Sequence, residues 1–157
     1  SGERVPTLAE AVAQLAGRAL LVAEIKEGGI EQQVEAALAP LGQEEAQVWS
    51  FLPDVLASYR RIAPHRRTVL LAEARSMARW PVPLQLAREV GAAGLSVRHE
   101  WVTAEVAAQV REAGLSLYAW TADEPADLRR LLLLGLDGIV SNYPERALLL
   151  RRQALGH

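Results

Sequence analysis

The sequence predicts an α/β protein in which helices cover a parallel β-sheet. Apolar runs with the length of strands alternate with helical patterns along the 157 residues, and the connections between them are short. This alternation is typical of βαβ units, which form parallel sheets. No linker or low-complexity segment divides the chain, and its length fits one domain with a sizeable core. We therefore expect a single domain over residues 1–157.

The composition is that of an ordinary globular protein and argues against several other classes. Half of the residues are hydrophobic and 23% are charged. The net charge of −2 provides no basic surface, so we expect no nucleic-acid partner. No apolar run approaches the ~20 residues of a membrane-spanning helix, so we predict no membrane span and a cytoplasmic location. The absence of cysteine excludes disulfides and thiolate metal ligands.

The first elements follow from a helix-start signal and from apolar spacing. Thr7 and Glu10 have the spacing of a capping box, which predicts a helix to about residue 16. The run "ALLVAEI" (19–25) predicts a buried strand. Apolar residues with helical spacing then predict a helix over 30–41.

Five further strand–helix units repeat this alternation. The predicted strands are "QVWSF" (47–51), "TVLLAEA" (68–74), "LSVRH" (95–99), "LSLYAWT" (115–121) and "DGIVSN" (137–142). The predicted helices are 53–63, 82–93, 103–114, 124–135 and 144–155. Gly94, Gly114 and Gly135 each precede a leucine where a helix ends, and we expect each glycine to take the left-handed conformation that terminates a helix.

Two architectures are compatible with six strand–helix units. A (β/α)₈ barrel needs eight units and typically ~200–250 residues. Six contiguous barrel strands would leave two exposed edges beside an unfilled interior. Counting alone therefore favours an open, doubly wound sheet.

The stretch "EIK" at the end of the first predicted strand is the strongest candidate for a site. Lys26 is the only lysine, whereas arginine occurs sixteen times. Glu24 and Lys26 alternate with Ile25, so both side chains point to one face of the sheet at the carboxyl end of the strand. A carboxylate there suits Mg²⁺ or Ca²⁺, and an ammonium suits phosphate. The alternative interpretation is a structural ion pair at a solvated strand end.

Other strand ends carry residues with two possible roles. Trp120 can wall a pocket or fill core volume. Ser50 and Phe51 occupy an equivalent position after another strand and mean little alone. Asp123 and Glu124 precede a predicted helix, and we expect them to act as its N-terminal caps.

Four stretches together resemble the glycerophosphodiester phosphodiesterase family over about residues 5–147. They are "VPTLAEAV", "LLVAEIK", "VWSFLPDVL" and "YAWTADEPADLRRLLLLGLDGIVSNYPERA". The resemblance implies a TIM barrel, of which this chain would hold strands three to eight, in place of the open sheet. It also implies metal-dependent hydrolysis of glycerophosphodiesters to glycerol 3-phosphate and an alcohol, with Mg²⁺ or Ca²⁺ as the cofactor.

The resemblance assigns roles residue by residue. Glu24 matches the family's metal-ligating glutamate, and Lys26 matches the catalytic lysine that faces the phosphate. Trp120 matches the pocket tryptophan, and Ser50 with Phe51 matches the Ser-Phe pair, so all three are expected at the substrate.

Several family positions differ or are absent from this sequence. Leu52 stands where the family often has Asp or Asn. Asn142 stands where the family often has Asp. The His-Arg-Gly stretch, the Glu-x-Asp pair and the following histidine have no counterpart here. We therefore expect weak or no metal binding and no activity by this chain alone.

Two alternatives remain open. The chain could be a degenerate, non-catalytic barrel fragment that acts as a binding module. In the family interpretation, a missing N-terminal segment would cover the open strand edges, whereas in this alternative a second copy would cover them. It could also be an unrelated open α/β phosphate-binding domain in which Glu24 and Lys26 form an ion pair. The order of the strands in the sheet distinguishes a partial barrel from an open sheet.

Overall fold

A computed structural model describes residue 2 and residues 4–155. These residues form one six-stranded sheet in which all neighbouring strands are parallel. The strands are β1 (Leu21–Glu24), β2 (Ala46–Ser50), β3 (Arg67–Ala72), β4 (Gly94–Arg98), β5 (Ser116–Trp120) and β6 (Gly138–Ile139).

Helices precede the first strand and follow every strand, as the alternation predicts. They are α1 (Leu8–Leu15), α2 (Glu31–Leu38), α3 (Pro53–Ile62), the single-turn α4 (Ala74–Met77), α5 (Val82–Glu89), α6 (Ala104–Glu112), α7 (Pro125–Leu133) and α8 (Pro144–Leu155), with a 3₁₀ turn at His99–Trp101. The predicted capping box is present at α1, where the Thr7 N–H donates to Glu10 Oε2 at 2.8 Å. The α4 turn was not predicted. In the part of the chain that the structure describes, no helix is both long and apolar enough to cross a membrane.

The strand order decides between the two architectures. Each strand pairs with the next one along the chain, in the order β1-β2-β3-β4-β5-β6. A doubly wound sheet reverses its order at a switch point, and this sheet has no reversal. The open doubly wound sheet favoured by counting is therefore wrong, and the partial barrel implied by the resemblance is confirmed. β1 and β6 form the two edges of the sheet.

The two faces of the sheet are packed differently. The helix-facing side carries the main core, whose largest fully buried side chains include Tyr59, Ile25, Leu38, Leu56 and Leu95. The inner face holds a second apolar cluster around Trp49, Val69 and Leu71. In this cluster the rings of Trp49 and Tyr118 approach to 4.9 Å between centroids. Because these rings belong to β2 and β5, with two strands between them, the sheet curves around them.

Two glycines on the inner face leave room for the ring of Tyr118. A Cβ on Gly138 would lie 2.8 Å from Tyr118 Cδ1, and one on Gly94 would lie 2.9 Å from the carbonyl oxygen of Ser116 and 3.1 Å from Tyr118 Cε2. Glycine at both positions thus allows an aromatic side chain to fill the hollow of the sheet.

One predicted helix terminator is wrong. Gly114 and Gly135 have the predicted positive φ angles of 72° and 67°, but Gly94 does not. Gly94 is instead the first residue of β4, and Gly91 takes the left-handed conformation after α5, with φ of 65°. Glycine is therefore needed at position 94 for space on the sheet rather than for its φ angle.

A cluster of charged and polar side chains, the amino-edge cluster, lies on the helix side where β3 begins. It consists of Glu35 on α2, Tyr59 on α3 and Arg66, which immediately precedes β3. The side chain of Arg66 is 1% exposed, and its guanidinium donates to Glu35 Oε1 at 3.2 Å. It also donates to the carbonyl oxygens of Leu38 at 3.2 Å and Gly42 at 2.8 Å, which satisfies groups at and beyond the end of α2. The Tyr59 hydroxyl donates to Glu35 as well.

Candidate active site

The carboxyl ends of the six strands form the edge of the curved sheet where functional groups gather in barrel-type proteins. We call this edge the rim. Inner-face residues at or just after the strand ends make up the rim: Glu24, Lys26, Phe51, Glu73, Arg98 and Trp120. Four of these six residues were predicted as site residues, and the other two, Glu73 and Arg98, were not.

Glu24 and Lys26 lie together at the end of β1. Lys26 Nζ is 3.8 Å from Glu24 Oε2, and the lysine side chain is 79% exposed. Ile25 between them is 2% exposed and belongs to the main core, so the alternation predicted from the sequence is present. An exposed ion pair of this kind contributes at most about 1 kcal/mol to stability. The pair is thus poorly explained as a stabilising contact, and both groups are open to a ligand.

Glu24 alone does not make a complete cation site. Within residues 2 and 4–155, no three or more histidine, aspartate or glutamate side chains are gathered in a way that could hold a metal ion. Mg²⁺ requires about six ligands and Ca²⁺ about six to eight, mostly oxygen atoms. The described residues can therefore provide one carboxylate ligand at this position and do not fit a divalent cation without further donors.

Phe51 and Trp120 form an aromatic bridge across the rim. Their rings meet edge to face, with centroids 5.7 Å apart and an interplanar angle of 89°. Because Phe51 follows β2 and Trp120 ends β5, the ends of β3 and β4 lie on one side of the bridge and those of β1 and β6 on the other. The indole Nε1 of Trp120 is buried and has no hydrogen-bond partner among the described residues. The structure thus brings together the two aromatic residues predicted at the substrate.

Ser50 lies apart from the other predicted site residues. It is fully buried, and its hydroxyl donates to the Ile25 carbonyl oxygen at 2.7 Å and accepts from the Leu52 N–H at 3.0 Å. Alternation along the chain turns Ser50 to the face opposite that of Phe51. These contacts connect the ends of β1 and β2, and the position does not support the substrate contact predicted for Ser50.

Arg98 at the end of β4 was missed in the sequence. Its Nη2 donates to Glu100 Oε1 at 2.7 Å and its Nε to Glu100 Oε2 at 3.3 Å. Its Cζ lies 6.0 Å from the centroid of the Trp120 ring. The hydrogen bond from Arg98 lowers the pKa of Glu100 to about 2, and Glu100 raises the pKa of Arg98. The alternation of "LSVR" could have revealed Arg98, because Ser96 and Arg98 share a face.

Asp123 does not cap the helix that follows it. Its carboxylate accepts from the Ser141 hydroxyl at 3.0 Å and from the backbone and side-chain nitrogens of Asn142 at 2.8 and 2.9 Å. The hydrogen bonds from Asn142 lower the pKa of Asp123. Glu124 is the residue directly before α7, but its side chain makes no capping hydrogen bond to the helix. The predicted caps are therefore wrong, and Asp123 instead connects the end of β5 to the end of β6.

The fold and the rim together define a partial (β/α) barrel with a carboxylate, an ammonium and an aromatic pair at its carboxyl edge. The chain belongs to the glycerophosphoryl diester phosphodiesterase family, whose sequence model matches residues 2–146. It is 29% identical over 160 residues to a glycerophosphodiester phosphodiesterase of Caldanaerobacter subterraneus subsp. tengcongensis, covering 98% of this chain and 64% of that protein. It is 28% identical over 155 residues to a glycerophosphodiester phosphodiesterase of Bacillus subtilis, covering 92% of this chain and 53% of that protein.

Solved structures of similar proteins have the same fold. A putative glycerophosphoryl diester phosphodiesterase from Silicibacter pomeroyi matches with a TM-score of 0.85 and 25% identity, over 96% of this chain and 57% of that chain. An Oleispira antarctica phosphodiesterase, solved with the product sn-glycerol-3-phosphate, matches with a TM-score of 0.73 and 19% identity, over 95% of this chain and 59% of that chain. The chain thus spans between about half and two thirds of the length of the relatives described here.

Proposed function

We propose that this chain carries part of the active site of an enzyme that hydrolyses glycerophosphodiesters to glycerol 3-phosphate and an alcohol. The observation that carries the proposal is the placement of Glu24 and Lys26 on one face at the carboxyl end of β1, 3.8 Å apart and exposed. Family membership over residues 2–146 supports the reaction class. The product found in the Oleispira antarctica relative supports glycerol 3-phosphate as the product.

The residues of this chain would bind and orient the substrate. The Lys26 ammonium donates charge-assisted hydrogen bonds to the phosphate oxygens, and its charge offsets theirs. Phe51 and Trp120 offer apolar ring surface to the carbon skeleton on either side of the phosphate. Glu24 supplies one oxygen ligand to a divalent cation, Mg²⁺ or Ca²⁺, and the remaining ligands come from outside the described residues. Such a cation, when bound, polarises phosphoryl oxygens.

Departure of the alcohol requires a group that protonates its oxygen, in addition to the residues at the end of β1. We place that group, with the further metal ligands, on a segment that lies along the open edges formed by β1 and β6. On this proposal the 157-residue chain alone has no turnover. The intact mass of the purified protein under denaturing conditions tests whether a second polypeptide accompanies it.

A turnover assay on the protein that contains this chain tests the roles of Glu24 and Lys26. The substrate is glycerophosphoethanolamine with Mg²⁺ or Ca²⁺, and a coupled dehydrogenase measures the glycerol 3-phosphate that is released. Glu24→Gln should abolish turnover, because the neutral amide removes the negative charge that this position contributes to the cation. Lys26→Met should lower kcat/KM by about 10- to 100-fold, the effect of one charged hydrogen bond, with the cation still bound. The control is Glu27→Gln, an exposed carboxylate next to the site. Near-normal turnover in Glu24→Gln would contradict the proposal.

A specific observation also favours a second candidate, a non-catalytic fragment that self-associates. Apolar side chains are exposed near both edges of the sheet: Val22 in β1, Val140 just after β6, and Leu148 and Leu149 in α8. A second copy that covers these edges would bury them. Sedimentation velocity over a range of concentrations separates the candidates, because a concentration-independent monomer contradicts self-association.

A further inference from the structure

Arg98 lies across the rim from the residues proposed to bind phosphate. Glu24 and Lys26 are at the end of β1, whereas Arg98 ends β4, three strands along the sheet. The aromatic bridge of Phe51 and Trp120 runs between these two parts of the rim. An ester group that extends across the rim from a phosphate at Lys26 therefore passes the aromatic bridge before it reaches Arg98, whose Cζ lies 6.0 Å from the centroid of the Trp120 ring.

The guanidinium of Arg98 is held in place and still has unused donors. Glu100 engages Nε and Nη2, and the Trp120 ring lies beside Cζ. A guanidinium carries five N–H donors. Arg98 Nη1 makes no hydrogen bond to any residue in the described part of the chain, and the side chain is 46% exposed. Arg98 is thus a fixed cation with a free donor group next to an aromatic wall.

A carboxylate is the small ligand group that best matches such a guanidinium, because both are planar and form parallel hydrogen bonds. Glu100 already balances the positive charge of Arg98, so the gain from a ligand carboxylate is moderate. Glu73, at the end of the neighbouring strand β3, is engaged by Arg75 at 2.7 Å and provides negative charge at the same part of the rim. This part of the rim therefore offers a guanidinium and a carboxylate on neighbouring strand ends.

We infer that Arg98 is a specificity-determining residue that favours glycerophosphodiesters whose alcohol group carries a carboxylate, as serine does. The inference rests on the proposed function, since it assumes that the phosphate lies at Lys26. The alcohol group crosses the aromatic bridge, and its carboxylate accepts hydrogen bonds from Arg98.

A matched pair of ligands tests this role. Glycerophosphoserine and glycerophosphoethanolamine differ by one carboxylate, and both carry the ammonium, so any attraction to Glu73 is common to them. Calorimetric titration of the full 157-residue chain at low salt should give about tenfold tighter binding of the serine compound, as expected for one moderate charged hydrogen bond. Arg98→Met should reduce this ratio to about one, and Arg98→Met/Glu100→Gln should do the same without leaving an unpaired carboxylate. Arg61→Met removes the same charge from an exposed position at the end of α3, away from the rim, and should keep the ratio.

Each result either supports the inference or overturns it. Equal binding of the two compounds by the native chain, or a ratio that survives in both Arg98 variants, overturns it while the proposed function stands. A ratio lost equally in Arg61→Met would reflect net charge and would also overturn it. Binding of neither compound by the 157-residue chain overturns the inference, which requires this chain to hold both groups, whereas the substrate class is tested separately by turnover in the protein that contains this chain. Loss of the ratio in the Arg98 variants alone supports it.

Discussion

The amino-edge cluster and the rim use charged residues in opposite ways. At the amino-edge cluster, Arg66 is almost completely buried and bonds to a carboxylate and to the chain at the end of α2. At the rim, Lys26 is 79% exposed and has one distant partner, Glu24, on its own strand end. Buried charges with complete sets of partners hold elements together, whereas exposed charges with incomplete sets remain available to ligands. The charges that stabilise the fold and those proposed to bind a ligand thus lie at opposite edges of the same sheet.

Removing Arg66 should have the largest effect on stability. Arg66→Met leaves Glu35 without its buried counter-ion and leaves carbonyl oxygens near the end of α2 unsatisfied. We expect the free energy of unfolding in urea to fall by about 3 kcal/mol. Arg61→Met is the matched control, because Arg61 is an exposed arginine at the end of α3, and it should change the free energy by less than about 0.5 kcal/mol. Equal losses in the two variants would remove the distinction between the cluster and an ordinary surface.

The titration of Glu35 gives a smaller, pH-dependent effect. Burial alone raises the pKa of Glu35, but hydrogen bonds from Tyr59 and Arg66 outweigh it and lower the pKa below its ordinary value of 4.5. The stabilisation by ionised Glu35 is therefore complete above that value and is lost as the pH falls through the lowered pKa.

Urea unfolding from about pH 6 to pH 3 measures this effect. The difference in unfolding free energy between the native chain and Glu35→Gln should be about 1–2 kcal/mol near neutral pH and should shrink as the pH falls. Comparison with the variant cancels the contributions of other carboxylates with lowered pKa values, such as Glu100 and Asp123. A difference that stays constant over this range would show that the Glu35 charge does not stabilise the fold.

The smallest effect on stability is expected at the rim. Glu24→Gln and Lys26→Met each break an exposed ion pair and should change the free energy of unfolding by less than about 0.5 kcal/mol. The same variants should have large effects on turnover in the complete enzyme. A loss of stability comparable to that of Arg66→Met would instead identify the pair as a structural contact.

The sequence alone predicts the features that depend on nearby residues. The capping box of α1, the alternation around Ile25 and the left-handed glycines after α6 and α7 were all predicted correctly. The barrel type depended on the family resemblance, because strand order is set by contacts between units and counting the units favoured the wrong sheet. Glu24, Phe51 and Trp120 could be placed at the rim because each ends or directly follows an apolar strand.

The features that were missed depend on residues far apart in the sequence. Asp123 was expected to cap a helix, but its partner Asn142 lies 19 residues further along the chain. Arg66 is followed by another arginine and has no local sign of burial, and its partner Leu38 is 28 residues away. In "GAAG" either glycine could end the helix, and the backbone of Ser116 and the ring of Tyr118, which both require glycine at position 94, are more than 20 residues away.

The fit of Tyr118 also determines which substitutions can accumulate in this part of the chain. An alanine at position 138 would meet only the tyrosine ring, so a smaller residue at position 118 would relieve the clash. An alanine at position 94 would meet the backbone oxygen of Ser116, which remains whatever residue occupies position 118. Position 138 is therefore free to vary only in concert with position 118, whereas glycine at position 94 is required by the main chain itself.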